Sequence, residues 1–371
     1  MEGAMKSHSI VREVKGNKRK GKPLSFFEFW PAWLFYFPVY IYVIYLMIRH
    51  RSIMLPTAVN PQLADGQFVG ESKNEILNIV SQYLPEYAAK HFLVTKGKKS
   101  GNVLLEQVKQ SLIEYGIIYP FVAKPDLGCR GAGVNLIKSQ DELASYLSAF
   151  PVNQSIICQE LIPYESEAGV FYCRLPYQEK GKIISLTLKH FPAVLGDGVK
   201  TLKELIESDA RASQLTHIYF PRLQHKLASI PEKGEKIGLV FAGNHSKGAI
   251  FKDGRDLISP TLITTFDSIS KKLPEFYFGR FDIRYESFAQ LEQGLNFKIV
   301  EINGASAEST HIWDADYSLL RAWKDLFMQF NLAFMIGEYN RRRGVKTQSF
   351  KEFYQSYLRD KKLSKLYPGT H

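Results

Sequence analysis

Two segments in the C-terminal third, GRFDIRYE at 279–286 and FKIVEINGAS at 297–306, read as strands that carry acidic and amide groups where strand interiors normally exclude them. Side chains alternate faces along a strand, so Arg280, Asp282 and Arg284 share one face while Phe281 and Ile283 share the other. Glu301 and Asn303 face one way by the same rule. Two neighbouring strands that each turn oxygen ligands to one side suit a hard cation. Mg²⁺ in particular takes one or two carboxylates and completes its shell with waters and nucleotide phosphates. Asp282, Glu301 and Asn303 are therefore the candidate metal ligands.

Upstream, FVAKPDLGCRGAGV at 121–134 runs from a short apolar strand with one embedded lysine, Lys124, into a loop holding Gly128, Gly131 and Gly133. Glycines let backbone N–H groups approach anionic oxygens, and a strand lysine supplies a point charge for phosphate. No Gly-Lys-Ser/Thr follows, and the glycine spacing is not the dinucleotide fingerprint.

Together these segments resemble the ATP-grasp superfamily, and within it the D-alanine–D-alanine ligase-like and cyanophycin-synthetase-like carboxylate–amine ligases. The likeness covers roughly 119–310 and has four parts in order. Lys124 and the glycine loop look like the family's phosphate-binding elements. IICQELIPYESEAGVFYCR at 156–174 looks like the hinge against which adenine lies, with Glu160, Leu161 and Ile162 at its start. Glu167, seven residues after Glu160, looks like the ribose-binding glutamate. LKHFPAVLGDGVKTLKELI at 188–206 is similar to the segment that brings a base to the γ-phosphate, and either Lys189 or His190 fills that place. The strand pair matches the family's R-x-D and E-x-N through Arg280, Asp282, Glu301 and Asn303. The sequence departs from D-alanine ligases after the E-x-N, where GASAESTHIWD stands at 304–314, so D-alanine is not carried over as substrate. His311 and Asp314 in that stretch are candidates to orient an acceptor or, more simply, structural residues.

The resemblance implies an α/β (α+β) ATP-grasp fold in which two subdomains grip ATP, with Mg²⁺ or Mn²⁺ as metal. It implies an ADP-forming ligase that makes an acyl phosphate and joins it to an amine, with Arg280 beside the tetrahedral species. The substrates would be a small or lipid-linked carboxylate and amine. The alternatives are an ATP-grasp phosphotransferase and a non-catalytic ATP-binding membrane protein.

The net charge of +11 sits at the two ends. Residues 1–22 hold seven Lys/Arg against Glu2 and Glu13, and residues 341–371 hold nine against Glu352 and Asp360. A near-neutral body with basic ends argues for contact with an anionic surface rather than a nucleic-acid groove, and no nucleic-acid motif is present. Cys129, Cys158 and Cys173 have no metal spacing and leave one unpaired, which suits a reducing compartment.

Between the basic start and the body lies FWPAWLFYFPVYIYVIYLMI at 29–48, twenty residues without a charge. A straight helix at ~1.5 Å per residue would match a ~30 Å hydrocarbon layer. Pro31 and Pro38 each remove a helix donor, and a single span would place the basic start outside, against the positive-inside rule. A re-entrant or interfacial anchor with both flanks on the cytoplasmic face is therefore expected, contributing no residue to the site. The expected organisation is a basic tail (1–23), the anchor (24–55), a reduced α/β region (56–118), the ATP-grasp domain (119–343) and a basic amphipathic helix (344–371).

Overall fold

A computed structural model of the chain describes residues 24–371 except 64, 65, 67, 69, 71, 99, 100, 129, 130, 241, 242, 244, 246, 247, 370 and 371. The basic tail and Cys129 lie outside the described residues. The body is mixed α/β, with antiparallel pairing throughout two main sheets.

The first sheet has four strands: β1 (His91–Thr95), β2 (Phe121–Pro125), β3 (Asn135–Ile137) and β4 (Ser155–Glu160), in the order β1-β4-β2-β3. The expected boundary at 118 does not divide this structure, because β1 pairs with β4 along its whole length. A helix over Gly101–Glu114 covers the sheet and ends at Gly116, whose positive φ of 61° lets the Ile117 N–H return to the Leu112 carbonyl. With a second helix, Gln140–Ala149, it buries Leu104, Val108, Leu143 and Leu147 against Phe92, Phe121 and Ile156.

The second sheet has five strands in the order β11-β10-β5-β6-β9: β5 (Ser166–Cys173), β6 (Lys182–His190), β9 (Ile250–Asp253), β10 (Phe278–Tyr285) and β11 (Phe297–Asn303). β7 (Ala193–Leu195) and β8 (Lys236–Gly238) form a separate two-stranded sheet beside it. One face of the large sheet packs Phe281, Ile283 and Ile299 on the helix Pro260–Lys272 through Leu262, Phe266 and Ile269. The other face carries the polar residues of the same strands. Alternation on β10 thus follows the sequence pattern, apolar inward and charged toward the cleft between the sheets. A capping box starts the helix Leu202–Ser208, with Thr201 Oγ1 accepting from the Glu204 N–H and the Glu204 carboxylate accepting from the Thr201 N–H.

The apolar segment at 29–48 is not one straight helix. It folds as a single turn, Ala32–Phe35, followed by a helix of thirteen residues, Phe37–Arg49, with Pro38 in its first turn. No helix among the described residues is long and apolar enough to cross a membrane. Nor is the segment separate from the body. Phe35, Val39 and Leu46 are buried against the long helix Leu319–Arg342 through Leu326, Phe330 and Phe334, and the Trp323 indole donates to the Phe35 carbonyl at 2.9 Å. The opposite side of the same helix keeps Phe37, Tyr40, Ile41, Ile44, Tyr45 and Ile48 exposed, Ile48 by 73%.

The last helix, Phe350–Leu363, docks on the first sheet through Leu363, with Tyr367 just beyond it, while Phe350, Tyr354, Tyr357 and Leu358 stay exposed.

Truncating the fully buried Leu46 to Ala is expected to cost about 2–5 kcal/mol of stability, as core truncations do. Ile44→Ala, on the exposed side, should change stability by less than about 0.5 kcal/mol. Urea unfolding midpoints of both variants in one mild detergent check the difference; equal losses would contradict the two-sided packing.

Candidate functional site

The two sheets face each other across a cleft of about 970 Å³. Lys124, Gly128, Gly131, Glu160, Leu161, Ile162, Glu167, Lys189, Arg280, Asp282, Glu301 and Asn303 all line it. Residues drawn from four separated stretches of sequence thus meet in one place. His190 does not join them: it follows Lys189 on β6 and is exposed on the other side of the strand, as alternation requires.

At the centre is a buried ionic network laid across three adjacent strands. Lys189 Nζ donates to Glu167 Oε1 at 2.7 Å and lies 3.1 Å from Asp282 Oδ1. Arg280 closes a two-pronged contact on the same carboxylate, Nε to Oδ1 at 2.9 Å and Nη2 to Oδ2 at 3.1 Å, and the Asn303 amide donates to Oδ2 at 3.1 Å. Strand register explains the geometry. Glu167 on β5 pairs with Lys189 on one side and Arg284 on the other, while Gly169 lies opposite Asp282. A Cβ on Gly169 would approach the Arg280 Cδ to 3.0 Å, so a larger residue there would press on these side chains over the middle strand.

Burial on its own would raise the Asp282 carboxyl; the Arg280 and Lys189 charges outweigh it and hold the group down at about 2. Burial likewise works against the Lys189 charge, and Asp282 and Glu167 overcome it and raise that group. The network is therefore ionised and nearly closed on itself.

Lys124 is different. It sits on β2 in the opposite sheet, buried, and its ammonium donates to Gln159 Oε1 at 2.8 Å. Burial pushes it down to about 8, against the more distant attraction of Glu301, Asp282 and Glu167. It is a cation poorly compensated by its own protein, which is the condition of a group waiting for an anionic partner. Gln159, which bridges Lys124 to the Val300 carbonyl of β11 at 3.3 Å, was not singled out from sequence. Its signal was a lone amide inside the apolar strand IICQE.

The glycine loop is braced from two directions. Gly128 and Gly133 have φ of 131° and 72°, and Tyr367 packs where their side chains would stand. Lys73 donates to the Gly128 carbonyl, and Asn135 donates to the Gly369 carbonyl at 2.9 Å. The C-terminal segment thus shapes the loop, a role sequence did not indicate.

Asp282, Glu301 and Asn303 fit a hard cation of limited protein ligation. Asp282 and Glu301 are direct register partners, and no hydrogen bond or ion pair to another described residue occupies the Glu301 carboxylate. Among the described residues no group of three or more His, Cys, Asp or Glu could hold a metal by itself. The set suits Mg²⁺ that brings phosphate and water oxygens with it.

His311 and Asp314 are structural. His311 is fully buried, with Nδ1 on Ser185 Oγ at 2.7 Å and Nε2 on Asp325 at 2.8 Å, and Asp314 accepts from Lys252 and from the Asp253 N–H. Neither lines the cleft, whereas their neighbours Glu308, Thr310 and Trp313 do. Cys158 and Cys173 are buried free thiols.

No family model matches the chain, and no curated protein is significantly similar to it. Among solved structures it is similar to a bifunctional glutathione synthetase from Pasteurella multocida, at 16% identity over 69% of this chain and 36% of that one, with a TM-score of 0.37. It is similar to the VanG D-Ala:D-Ser ligase from Enterococcus faecalis at 15% identity, over 73% of this chain and 62% of that one, with a TM-score of 0.40. A D-alanine–D-alanine ligase from Bacillus anthracis gives 14% identity, 73% and 67% coverage and a TM-score of 0.35. The chain thus spans about a third of the first and under two thirds of the second. At this level of likeness the functional reading rests on the chain's own residues.

The Asp282 network makes a prediction about acid stability. The folded carboxyl, held at about 2, lies below the usual aspartate value near 3.8, so its stabilisation is present above that value and is lost as pH falls through about 2. Wild type should therefore outperform Asp282→Asn in urea at pH 6, and the gap should shrink steadily between pH 4 and pH 2. A gap that stays constant over that range would place the stabilisation elsewhere.

Proposed function

We propose that the chain is an ATP-grasp-type, ADP-forming ligase that joins a carboxylate to an amine, acting at a membrane surface. The observation that carries this reading is the convergence on one cleft of Lys124 and the glycine loop from one sheet with Lys189, Arg280, Asp282, Glu301 and Asn303 from the other. Two lysines facing each other from opposite walls suit a polyphosphate lying between them.

In this reading the adenine lies along Glu160, Leu161 and Ile162, Glu167 takes the ribose, and the phosphates run from the glycine loop toward Lys189. Mg²⁺ on Asp282, Glu301 and Asn303 would neutralise phosphate charge. Lys124 and Lys189 add fixed positive charge in a dry site, where it acts most strongly on charge that develops during transfer. Substrate carboxylate displaces ADP at the γ-phosphorus, giving an acyl phosphate. The amine then attacks the acyl carbon, the C–O bond to phosphate breaks, and the amine proton passes to solvent. The Arg280 guanidinium, aimed at the same corner, suits the oxyanion of that second step. No enzyme nucleophile is required.

Attachment to a lipid surface is supported by the exposed row Trp33, Phe37, Tyr40, Ile41, Ile44, Tyr45 and Ile48, next to exposed Arg49 and Arg51 and preceded by the basic residues of 1–22. Aromatic and aliphatic groups on one side of a short helix, beside cations, match an interfacial element and anionic headgroups. The cytoplasmic face is the side on which ATP is found.

Incubating the full chain with ATP, Mg²⁺ and a lysate metabolite pool should yield an amide with ADP and free phosphate. A phosphorylated product without amide would make it a phosphotransferase, and no nucleotide-dependent product would overturn catalysis. Lys124 gives a sharper test. Phosphate beside it should restore its proton, so nucleotide binding should take up about half a proton at pH 8 and close to one at pH 9, read by calorimetry in buffers of different ionisation enthalpy. Lys124→Met should abolish that uptake; unchanged uptake would move the phosphate site away. Flotation with vesicles containing phosphatidylglycerol should retain the chain, less so at high salt, and no flotation at low salt would end the membrane reading.

A further inference from the structure

Beyond Arg280 the cleft continues into an end that the nucleotide reading does not use. Its walls are Tyr36 from the N-terminal segment, Phe251 from β9, Thr310, Trp313 and His245. Glu308 stands among them. Its carboxylate accepts from the Tyr36 hydroxyl at 2.5 Å through Oε2 and from the Trp313 indole N–H at 2.8 Å through Oε1. Its main-chain carbonyl accepts from Arg280 Nη1 at 2.9 Å, which ties the residue directly to Arg280.

Both side-chain donors are neutral, and no described Lys, Arg or His lies within ion-pair distance of this carboxylate. The nearby His245 is instead drawn to Glu28, at 2.9 Å, which also binds Arg211. Trp313 is pinned between His245, with ring centroids 5.2 Å apart, and Phe35, at 4.6 Å. The carboxylate is thus oriented by two aromatic donors, with the Arg280 guanidinium acting on it through space but not paired with it. Two donors leave part of its acceptor capacity open, since an ionised carboxylate offers about four lone-pair sites.

We propose that Glu308 is the recognition group for a primary ammonium on the acceptor substrate, with Phe251 and Tyr36 against its carbon stem. This rests on the ligase reading and names the chemistry of one substrate: a cationic amine, with the anionic partner drawn to the Arg280 side. It also gives the N-terminal segment a part in the site through Tyr36, contrary to the expectation that the segment contributes none.

The test uses the full chain without nucleotide and small probes that share one carbon stem: n-butylammonium, n-butanol and butyrate. Ligand-observed NMR should show saturable binding of n-butylammonium, with n-butanol and butyrate at least ten-fold weaker. Glu308→Gln should weaken the ammonium by ten-fold or more and leave n-butanol unaffected. MgADP binding, measured on the same samples, is expected to survive the substitution. Equal binding of ammonium and alcohol, or an unaltered ammonium affinity in Glu308→Gln, would overturn the proposal. If wild type binds the ammonium and not MgADP, the ligase reading fails while the ammonium site stands. Should Glu308→Gln lose its near-ultraviolet circular dichroism, Tyr36→Phe and Trp313→Phe decide instead: each removes one donor from the carboxylate, and unaltered discrimination in both would overturn the proposal.

Discussion

The ion network of Lys189, Glu167, Asp282 and Arg280 is the constraint on which the rest of the site depends. Four charges are removed from water on strands β5, β6 and β10, a placement that is costly unless each finds a partner with good geometry. The partners are supplied by register alone, since Glu167 and Lys189 face each other across one ladder and Gly169 clears the space above the next. A shift of one residue in any of these strands would turn the charges into the apolar core around Phe266 and Phe281. The network thereby fixes the sheet, and the sheet fixes where Glu301 and Asn303 point.

Across the cleft the balance is opposite. Lys124 has a single neutral partner in Gln159 and is driven toward losing its proton, while Glu301 has no partner among the described residues. A protein that satisfies one set of buried charges so fully and leaves others unmatched in the same cavity is arranged for a ligand carrying both anionic oxygens and a cation. Mg²⁺ with a polyphosphate has that composition. The aromatic end around Glu308 adds a third charge preference, so the cleft changes sign along its length.

Much of this was legible in the sequence for a specific reason. Asp282, Glu301, Asn303 and Lys124 stand out because strands rarely carry such groups, and alternation then tells which neighbours share their face. The same rule separates Lys189 from His190 once both are placed on one strand. What could not be read is what depends on contacts between distant segments. β1 looks like part of a preceding region until it is seen to pair with β4, more than sixty residues on. The apolar stretch at 29–48 has the composition of a membrane segment because it has two apolar sides, one of which meets Leu326 and Phe334 of the helix Leu319–Arg342. Hydrophobicity measures how strongly a surface avoids water and does not name its partner. Glu308 and Tyr36 escaped notice because they lie 272 positions apart and meet only in the folded chain.

Metal and nucleotide should enter this cleft together, because the protein's own ligands for either are incomplete. Titration with Mn²⁺ read by electron paramagnetic resonance tests it, with and without a non-hydrolysable ATP analogue. Immobilised Mn²⁺ is expected only when the analogue is present, and is expected to be lost in Asp282→Asn and Glu301→Gln. Mn²⁺ bound tightly without nucleotide, or nucleotide bound equally well without metal, would contradict it.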